Sequence, residues 1–581
     1  MFVVSRWQRY WQVVHPLPDH TLWWPFRGDG LDSVGVDGEP VTGPVPRCGD
    51  DEILVRVDAL GLCASDAKMV RMGHDYPLFF DRDFVADPAR LGHEAALTVM
   101  AVGERRQAQF YPGLRLGIQP DVFVDGRRTI FGVNLAGAMT QYLALGSDVL
   151  DSDTGSCVFP VLADVSYAEI AVLEPWACVD VAYSDTARRL APKAGGLMWI
   201  RGEPGDNASY FVSRPLDSRT VLLTDVPSDL AAWVRSQPVE VVECDSAGAQ
   251  AVLVERSSGA GVDDIVLLDP RDAAVAAAAV DLLAARGTLN LVGGDWLSAA
   301  VPVDISKLHY HHLALLGCPG PDIAEAYGGR RNRSDLRPGG VVWIVGAGGA
   351  MGRMHVQRAL QLPDGPRAVV ATNRGQARLH RLVDDFAGLA RQAGRDLVAF
   401  SPRDEPDRLA AEMERLTGGA GFDDVVVVAP GAPAVAEALP WLARDGLLMV
   451  FAGTPAGTRV DLHLQRAAQH GAQFTGTSGS TVADQLRVLD KIRTGELEAA
   501  RTVAAIGGMR AMKDGLRAVL EHVYPGKVMI YPQLPDLSLL SLSELERAIP
   551  AVYSQLGPGL VWTASAEQAL IEACWSEQWR R

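Results

Sequence analysis

The sequence predicts an α/β chain in which a β-rich unit precedes two tandem doubly wound parallel-sheet modules. Three observations predict it. The first is an internal repeat. Gly195-Gly-Leu-Met-Trp-Ile-Arg-Gly-Glu-Pro-Gly-Asp-Asn-Ala208 lies in register with Gly339-Gly-Val-Val-Trp-Ile-Val-Gly-Ala-Gly-Gly-Ala-Met-Gly352. Trp199 matches Trp343, Ile200 matches Ile344, Gly202 matches Gly346 and Gly205 matches Gly349. Further on, Gly259-Ala-Gly-Val-Asp-Asp-Ile-Val-Leu-Leu-Asp-Pro270 matches Gly419-Ala-Gly-Phe-Asp-Asp-Val-Val-Val-Val-Ala-Pro430 in the same order, which marks a duplicated unit. The second observation is that apolar runs in these copies do not alternate. Val425-Val-Val-Val428 and Leu447-Leu-Met-Val-Phe451 suit parallel strands buried on both faces. The third is that the chain up to residue 185 instead carries short strands between Gly and Pro punctuation.

The chain has 581 residues, enough for about three or four domains with large cores. A net charge of −17 and a pI near 5.2 exclude nucleic acid and anionic membrane as main partners. No run of 18 apolar residues is present, so no transmembrane helix is expected. Met1-Phe-Val-Val-Ser-Arg-Trp-Gln-Arg-Tyr-Trp11 is too aromatic and polar for the apolar core of a secretory signal. Seven scattered cysteines form no disulfide framework. They fit thiols in a reducing compartment, and a cytoplasmic protein is expected.

In chain order, Ile53, Val55 and Val57 alternate with charged neighbours, as on a half-buried strand. Leu97-Thr-Val-Met-Ala-Val102 and Leu114-Arg-Leu-Gly-Ile-Gln119 are further short strands. Ser166 predicts a helix N-cap, followed by Ile170, Leu173, Ala177 and Val181 on one face, and Pro175 should kink or interrupt that helix. The two α/β modules occupy 190–325 and 338–480, with alanine-rich helical stretches such as Ala273 to Ala285 between their strands. Gly328-Gly-Arg-Arg-Asn-Arg-Ser-Asp-Leu-Arg-Pro338 reads as the linker joining them. Residues 481–532 carry an amphipathic helix (Leu486, Leu489, Ile492) and a last strand, Lys527-Val-Met-Ile-Tyr531. They return to complete the unit begun by 1–186. Residues 533–581 form a helical C-terminal extension of unassigned role.

Three short segments of the first unit hold metal-ligand residue types: Gly61-Leu-Cys-Ala-Ser-Asp66, Leu91-Gly-His-Glu-Ala95 and Leu173-Glu-Pro-Trp-Ala177. A catalytic zinc takes three thiolate, imidazole or carboxylate ligands and keeps one position open. Cys63, His93 and one of Glu94 or Glu174 can supply that set. The open position would take an alcohol or carbonyl oxygen, which the metal polarises as a Lewis acid. Ser65 lies two residues from the thiol and can relay a proton from the bound alcohol. The bland alternative makes Cys63 a small buried hydrophobe, His93 a hydrogen-bonded core residue and Glu174 a solvated helix carboxylate. Lys68, Arg71, Arg82 and Arg90 flank these segments and can meet a phosphate, although most arginines are simply solvated.

The second constellation begins with a strand from Val341 to Val345. It runs into Gly346-Ala-Gly348-Gly349-Ala350-Met351-Gly352, then into a helical pattern and a second strand, Ala368-Val-Val-Ala-Thr372. Such glycines allow a tight turn and close approach of a pyrophosphate to a helix N-terminus. The register is either Gly346-x-Gly348 with one inserted residue, or Ala347-x-Gly349-x-x-Gly352. An acidic residue after the second strand would bind the ribose 2′-hydroxyl of NAD. Asn373 followed by Arg374 instead suits the 2′-phosphate of NADP, the favoured cofactor. The first module keeps only Gly202 and Gly205, and Glu203 and Asp206 would repel a pyrophosphate, so that module reads as structural.

Taken in order, Cys-x-Ser-Asp66, Gly-His-Glu94 and Glu174-Pro followed by a glycine-loop module and a returning segment resemble the zinc-containing medium-chain alcohol dehydrogenase superfamily. The resemblance is nearest to its sorbitol dehydrogenase and L-sorbose 1-phosphate reductase-like group. The residues that carry the latter are Gly421-Phe-Asp-Asp424, Ala429-Pro430, Phe451-Ala-Gly453, Gly476-Thr-Ser-Gly479 and Pro525-Gly-Lys-Val-Met-Ile-Tyr531. It implies a GroES-like β-rich catalytic domain and Rossmann-like modules. It implies one catalytic zinc on Cys63, His93 and Glu94 or Glu174, with Ser65 in the proton relay. Gly346 to Gly352, Pro430, Gly453 and Thr477 would face the cofactor, and Lys527 would sit near its phosphates. Three departures stand out. No cysteine lies between Cys63 and Cys157, so the four-cysteine structural zinc lobe of many members is missing. Asn373 replaces the usual acidic residue. The module at 190–325 has no place in the family plan.

The expected function is hydride transfer between NAD or NADP and a secondary alcohol or ketone of a polyol, sugar or sugar phosphate. The alternatives are a zinc-free reductase of the same fold and a non-catalytic scaffold or ligand sensor built on the duplicated modules. The first module is expected to pair with the second as an internal pseudo-dimer, leaving room for further homo-oligomer formation.

Overall fold

The computed structural model describes residues 5–80, 82–162, 164–184, 190–293, 297 and 299–576. The expected domain boundary at 186 lies outside them. The chain divides into one unit of residues 1–177 with 479–581 and another of residues 178–478. No helix among the described residues is long and apolar enough to cross a membrane. All seven cysteines are free thiols.

The first unit is built on a mostly antiparallel sheet whose central strands are Lys527–Tyr531, Ile53–Leu62, Glu94–Val102 and Arg115–Ile118. All ten residues of Ile53–Leu62 are buried. The alternation that predicted a half-exposed strand is therefore corrected. Arg56 and Asp58 are each less than 2 % exposed because their charges find partners inside the protein. Arg56 Nε donates to Asp58 Oδ1 at 2.7 Å, and the Tyr10 hydroxyl donates to the same oxygen at 2.6 Å. Thr98 donates to Asp58 Oδ2 at 2.5 Å. Tyr10 belongs to the helix Arg6–Trp11, and its ring packs edge-on against Trp575 near the other end of the chain. The two termini thus roof a sheet face that would otherwise meet water.

The expected interruption near Pro175 is present, one turn early. One helix ends at Ala171 and the next begins at Leu173, which places Pro175 in a first turn where its missing N–H costs nothing. Among its described residues, the C-terminal extension forms three helices, Leu545–Ala548, Pro550–Tyr553 and Ala564–Cys574. From the last, Glu567 accepts the backbone N–H groups of Tyr167 and Ala168 at 2.6 and 2.9 Å and the Tyr531 hydroxyl at 2.9 Å.

The second unit holds one twelve-stranded sheet. Its strands, in spatial order, are Glu240–Glu243, Thr220–Thr224, Leu197–Arg201, Val262–Leu268, Leu283–Val292, Ala314–Cys318, Gln473–Gly476, Leu442–Val450, Phe422–Val427, Val341–Val345, Ala368–Thr372 and Asp396–Phe400. Each half is parallel throughout, and the two halves have the same strand order read in opposite directions. They meet in an antiparallel ladder, Ala314 opposite Thr475 and Leu315 opposite Phe474. A second antiparallel pair, Val301–Asp304 with Arg459–Leu462, also joins them.

The repeat recurs in single hydrogen bonds. Trp343 Nε1 donates to Thr372 Oγ1 at 2.9 Å, and Trp199 Nε1 to Thr224 Oγ1 at 3.1 Å. Asp423 accepts the N–H of Val341, and Asp263 that of Leu197, each at 2.9 Å. Asp424 accepts from Arg337, and Asp264 from Lys193, each at 2.8 Å. These carboxylates, buried at Asp264 and Asp424 and half-buried at Asp263 and Asp423, explain why both copies keep Gly-x-Asp-Asp before an apolar strand. The arginine-rich stretch between the copies is more than a spacer. Arg331 donates to the carbonyls of Gly317, Ala467 and Ala468, and Arg333 pairs with Asp424 at 2.5 Å.

Candidate active site

Sheet register gathers the first constellation at the ends of three central strands. Gly61 stands opposite both Glu94 and Met529. The end of the strand Ile53–Leu62 and the starts of the strands Glu94–Val102 and Lys527–Tyr531 therefore bring Cys63, Glu94 and Lys527 together. Sγ of Cys63, a ring nitrogen of His93 and a carboxylate oxygen of Glu94 all lie within 4.8 Å of one another. A Cβ at Gly61 would press on Glu94 Oε2, so glycine there leaves room for that carboxylate.

A helix, Ala64–Met72, starts directly after Cys63. Asp66, in its first turn and fully buried, accepts the Cys63 N–H at 2.9 Å. Its other oxygen lies 3.4 Å from His93 Nδ1. A carboxylate so placed can orient the ring and leave Nε2 for a metal. Ser65 Oγ lies 3.3 Å from that Nε2. Burial would lower the His93 pKa, yet the charge and hydrogen bond of Asp66, together with Cys63, hold it well above the usual range.

Lys527 is buried and places its ammonium on Glu94. Burial opposes that charge, but Glu94 and then Cys63 keep the lysine pKa above its ordinary value. The second carboxylate oxygen, Glu94 Oε2, is buried without a hydrogen-bond partner. A thiol, an imidazole and an unsatisfied carboxylate oxygen in one buried group make a donor set that fits zinc. Glu174 stands outside this group, on the helix Leu173–Val181, and its charge acts on Lys527. Asp66 and the Lys527–Glu94 contact were missed from sequence. Asp66 had a signal, the spacing of an N-cap residue and an acid three positions on. The Lys527 contact had none, being 433 residues apart in the chain.

The second constellation forms a strand–turn–helix. Gly346 adopts φ +89°, which a side chain would strain, and its N–H bonds the Thr372 carbonyl at 2.9 Å. Gly349 is the N-cap of the helix Ala350–Gln361, and the space beside its Cα is open. Gly352 lies where a Cβ would collide with the Gly346 carbonyl, so it sets close helix–strand packing. Ala350 and Met351 fill the first turn between them. A Cβ on Gly348 would lie 2.8 Å from Asn373 Cγ and 3.0 Å from Arg378 Cβ. Asn373 therefore rests on the loop, Arg374 is exposed beside it, and Arg378 adds a cation that sequence reasoning had passed over. Pro430, Gly453 and Thr477 follow the C-terminal ends of three neighbouring parallel strands, at the side of the sheet where ligands of such folds bind. The Thr477 hydroxyl is buried without a partner.

The first module departs further than its glycines suggested. Between Leu197–Arg201 and Thr220–Thr224 there is no helix, so the element whose N-terminus would face a pyrophosphate is missing. Instead the Tyr210 hydroxyl donates to Asp269 at 2.5 Å and lies 3.1 Å from Asp206.

Residues 49–151 match the family model of the alcohol dehydrogenase GroES-like domain. The chain is 26% identical over 297 residues to L-sorbose 1-phosphate reductase of Klebsiella pneumoniae, covering 48% of this chain and 71% of that protein. It is 27% identical over 246 residues to mannitol-1-phosphate 5-dehydrogenase of Aliivibrio fischeri, covering 41% of this chain and 57% of that protein. Among solved structures, galactitol-1-phosphate dehydrogenase from Escherichia coli aligns with a TM-score of 0.47 and 13% identity, over 88% of this chain and all of that one.

Proposed function

The chain belongs to the medium-chain alcohol and polyol dehydrogenase superfamily, and on that premise we propose that it is a zinc-dependent oxidoreductase. It transfers hydride between NADP or NAD and a secondary alcohol or ketone of a polyol, sugar or sugar phosphate. The observation that carries this is the meeting of Cys63, His93 and Glu94 within 4.8 Å. When bound, zinc supplies Lewis-acid polarisation of the substrate oxygen and the nicotinamide supplies or accepts the hydride. The chain's own residues do the rest. Cys63, His93 and Glu94 hold the ion, and Asp66 orients His93. Ser65 takes the hydroxyl proton of the alcohol. Lys527 balances the charge of Glu94, and Gly346 to Gly352 cradle the pyrophosphate. Arg90, three residues before His93, stacks over Trp23, and its buried Nε has no hydrogen-bond partner. A phosphorylated substrate would offer that Nε an acceptor.

The two modules serve as each other's pairing partner within one chain. The antiparallel ladder at Ala314 and Thr475 supports this reading. A zinc-free reductase of the same fold is favoured by one observation, since Lys527 already compensates Glu94.

Metal analysis joined to a polyol and sugar-phosphate screen with both NAD⁺ and NADP⁺ tests the proposal. About one zinc per chain is expected from the one ligand set among the described residues, and His93→Ala should lose both metal and turnover. Full zinc occupancy in His93→Ala overturns the ligand assignment. Undiminished turnover by metal-stripped protein decides for the zinc-free reading.

A further inference from the structure

The dinucleotide reading of the second module fixes a direction along its sheet. The pyrophosphate loop follows Val341–Val345, and the adenosine ribose is read beside Asn373 at the end of the next strand, Ala368–Thr372. The nicotinamide half must then run the other way, over the ends of Phe422–Val427, Leu442–Val450 and Gln473–Gly476. Two loops end that path, 451–454 and 477–478. Both are met by one segment of the first module, the helix Ile305–Tyr310 and the residues after it.

The contacts are close. A Cβ on Gly453 would lie 2.6 Å from the Tyr310 hydroxyl and 3.5 Å from His309 Nε2. The His309 ring lies edge-on to Phe451, with centroids 6.3 Å apart. A Cβ on Gly476 would lie 2.6 Å from the Leu308 carbonyl. The N–H of Ser478 donates to His312 Nε2 at 3.1 Å. In the same two loops, the hydroxyls of Thr454 and Thr477 are buried without partners, as groups awaiting a polar ligand would be. Tyr310, whose ring lies edge-on to His309, keeps 46% of its surface exposed there.

We propose that the first module, which has lost its own pyrophosphate site, completes the nicotinamide end of the second module's groove, with Tyr310 as the positioning residue. This rests on the dinucleotide reading above. The module is then an integral wall of the cofactor site, and glycine at 453 is what lets that wall approach.

The test separates the two halves of the cofactor. Binding of NADP⁺ and of 2′-phospho-ADP-ribose, which lacks nicotinamide, is measured by calorimetry for the full chain and for Tyr310→Ala and Tyr310→Phe. Tyr310→Ala should weaken NADP⁺ by roughly two- to tenfold, the range of an aromatic contact, and leave the truncated ligand unchanged. Tyr310→Phe should bind NADP⁺ nearly as the parent does. Gly453→Ala should lose NADP⁺ affinity, and Tyr310→Phe in the same chain should restore part of it by removing the hydroxyl that meets the new methyl group. Equal losses for both ligands, or no loss for either, overturn the proposal. A parent chain that binds neither ligand overturns the dinucleotide reading itself.

Discussion

Replacing Asp66 by Asn tests whether the carboxylate behind His93 governs metal binding. Asp66 offers two acceptor oxygens, one taking the Cys63 N–H at 2.9 Å and the other 3.4 Å from His93 Nδ1. Asn offers one. If its amide nitrogen turns to His93, Nδ1 must accept, the ring proton moves to Nε2, and the lone pair meant for the metal is lost. If the nitrogen turns to Cys63, two donors face each other in a dry site, at a cost of about 1–3 kcal/mol. Either way the expected loss of zinc affinity is about 10- to 100-fold, or roughly 1.4–2.7 kcal/mol. Competition with a chromophoric chelator at neutral pH measures it, and kcat should fall in step with occupancy. Zinc affinity within about threefold of the parent would refute the reasoning, since that is below the range for losing such a partner.

Two further expectations concern the cofactor and the C-terminal helix. Arg374→Ala should weaken NADPH by about 1.5–3 kcal/mol, as for a hydrogen bond to a charged group, and leave NADH nearly unchanged in fluorescence titration; equal losses would show that Arg374 does not read the 2′-phosphate. Burial raises Glu567 from 4.5 to about 7, against the pull of its two backbone N–H donors and Tyr531. Between those values the folded chain keeps a proton that the unfolded chain releases, so stability should decline as pH rises from about 4.5 to 7, by roughly 3 kcal/mol in all. Melting temperatures of the parent and Glu567→Gln across that window check this, and an unchanged pH slope in the variant would contradict it.

What the sequence disclosed was whatever it wrote locally or wrote twice. The duplicated Trp and Gly-x-Asp-Asp positions translate into matching hydrogen bonds in both halves of the sheet. Cys63, His93 and Glu94 lie in short motifs whose residue types name their chemistry. What stayed hidden depended on partners far away in the chain. Arg56 and Asp58 read as the polar face of a strand because Tyr10 and Thr98, which bury them, come from other segments. Lys527 was expected beside phosphates because its strand gives no hint that register delivers it to Glu94. The missing helix after Arg201 was obscured because a degenerate glycine loop still looks like a turn into a helix. Glu567 could not be assigned from its own helix, since the N–H groups it accepts begin a different one.

The ladder in which Ala314 faces Thr475 and Leu315 faces Phe474 has a consequence for how the chain can change. Where two identical chains pair across a twofold axis, every substitution at the seam is made twice and its energetic effect is doubled. Residues near the axis must also tolerate their own copies. In this chain each seam position faces a different residue, so a substitution counts once and can be matched by a change on the other side alone. One side has no helix after Arg201, while the other carries the helix Ala350–Gln361 after its glycine loop. The two halves are made as a single unit, in fixed one-to-one proportion, at any concentration of the protein.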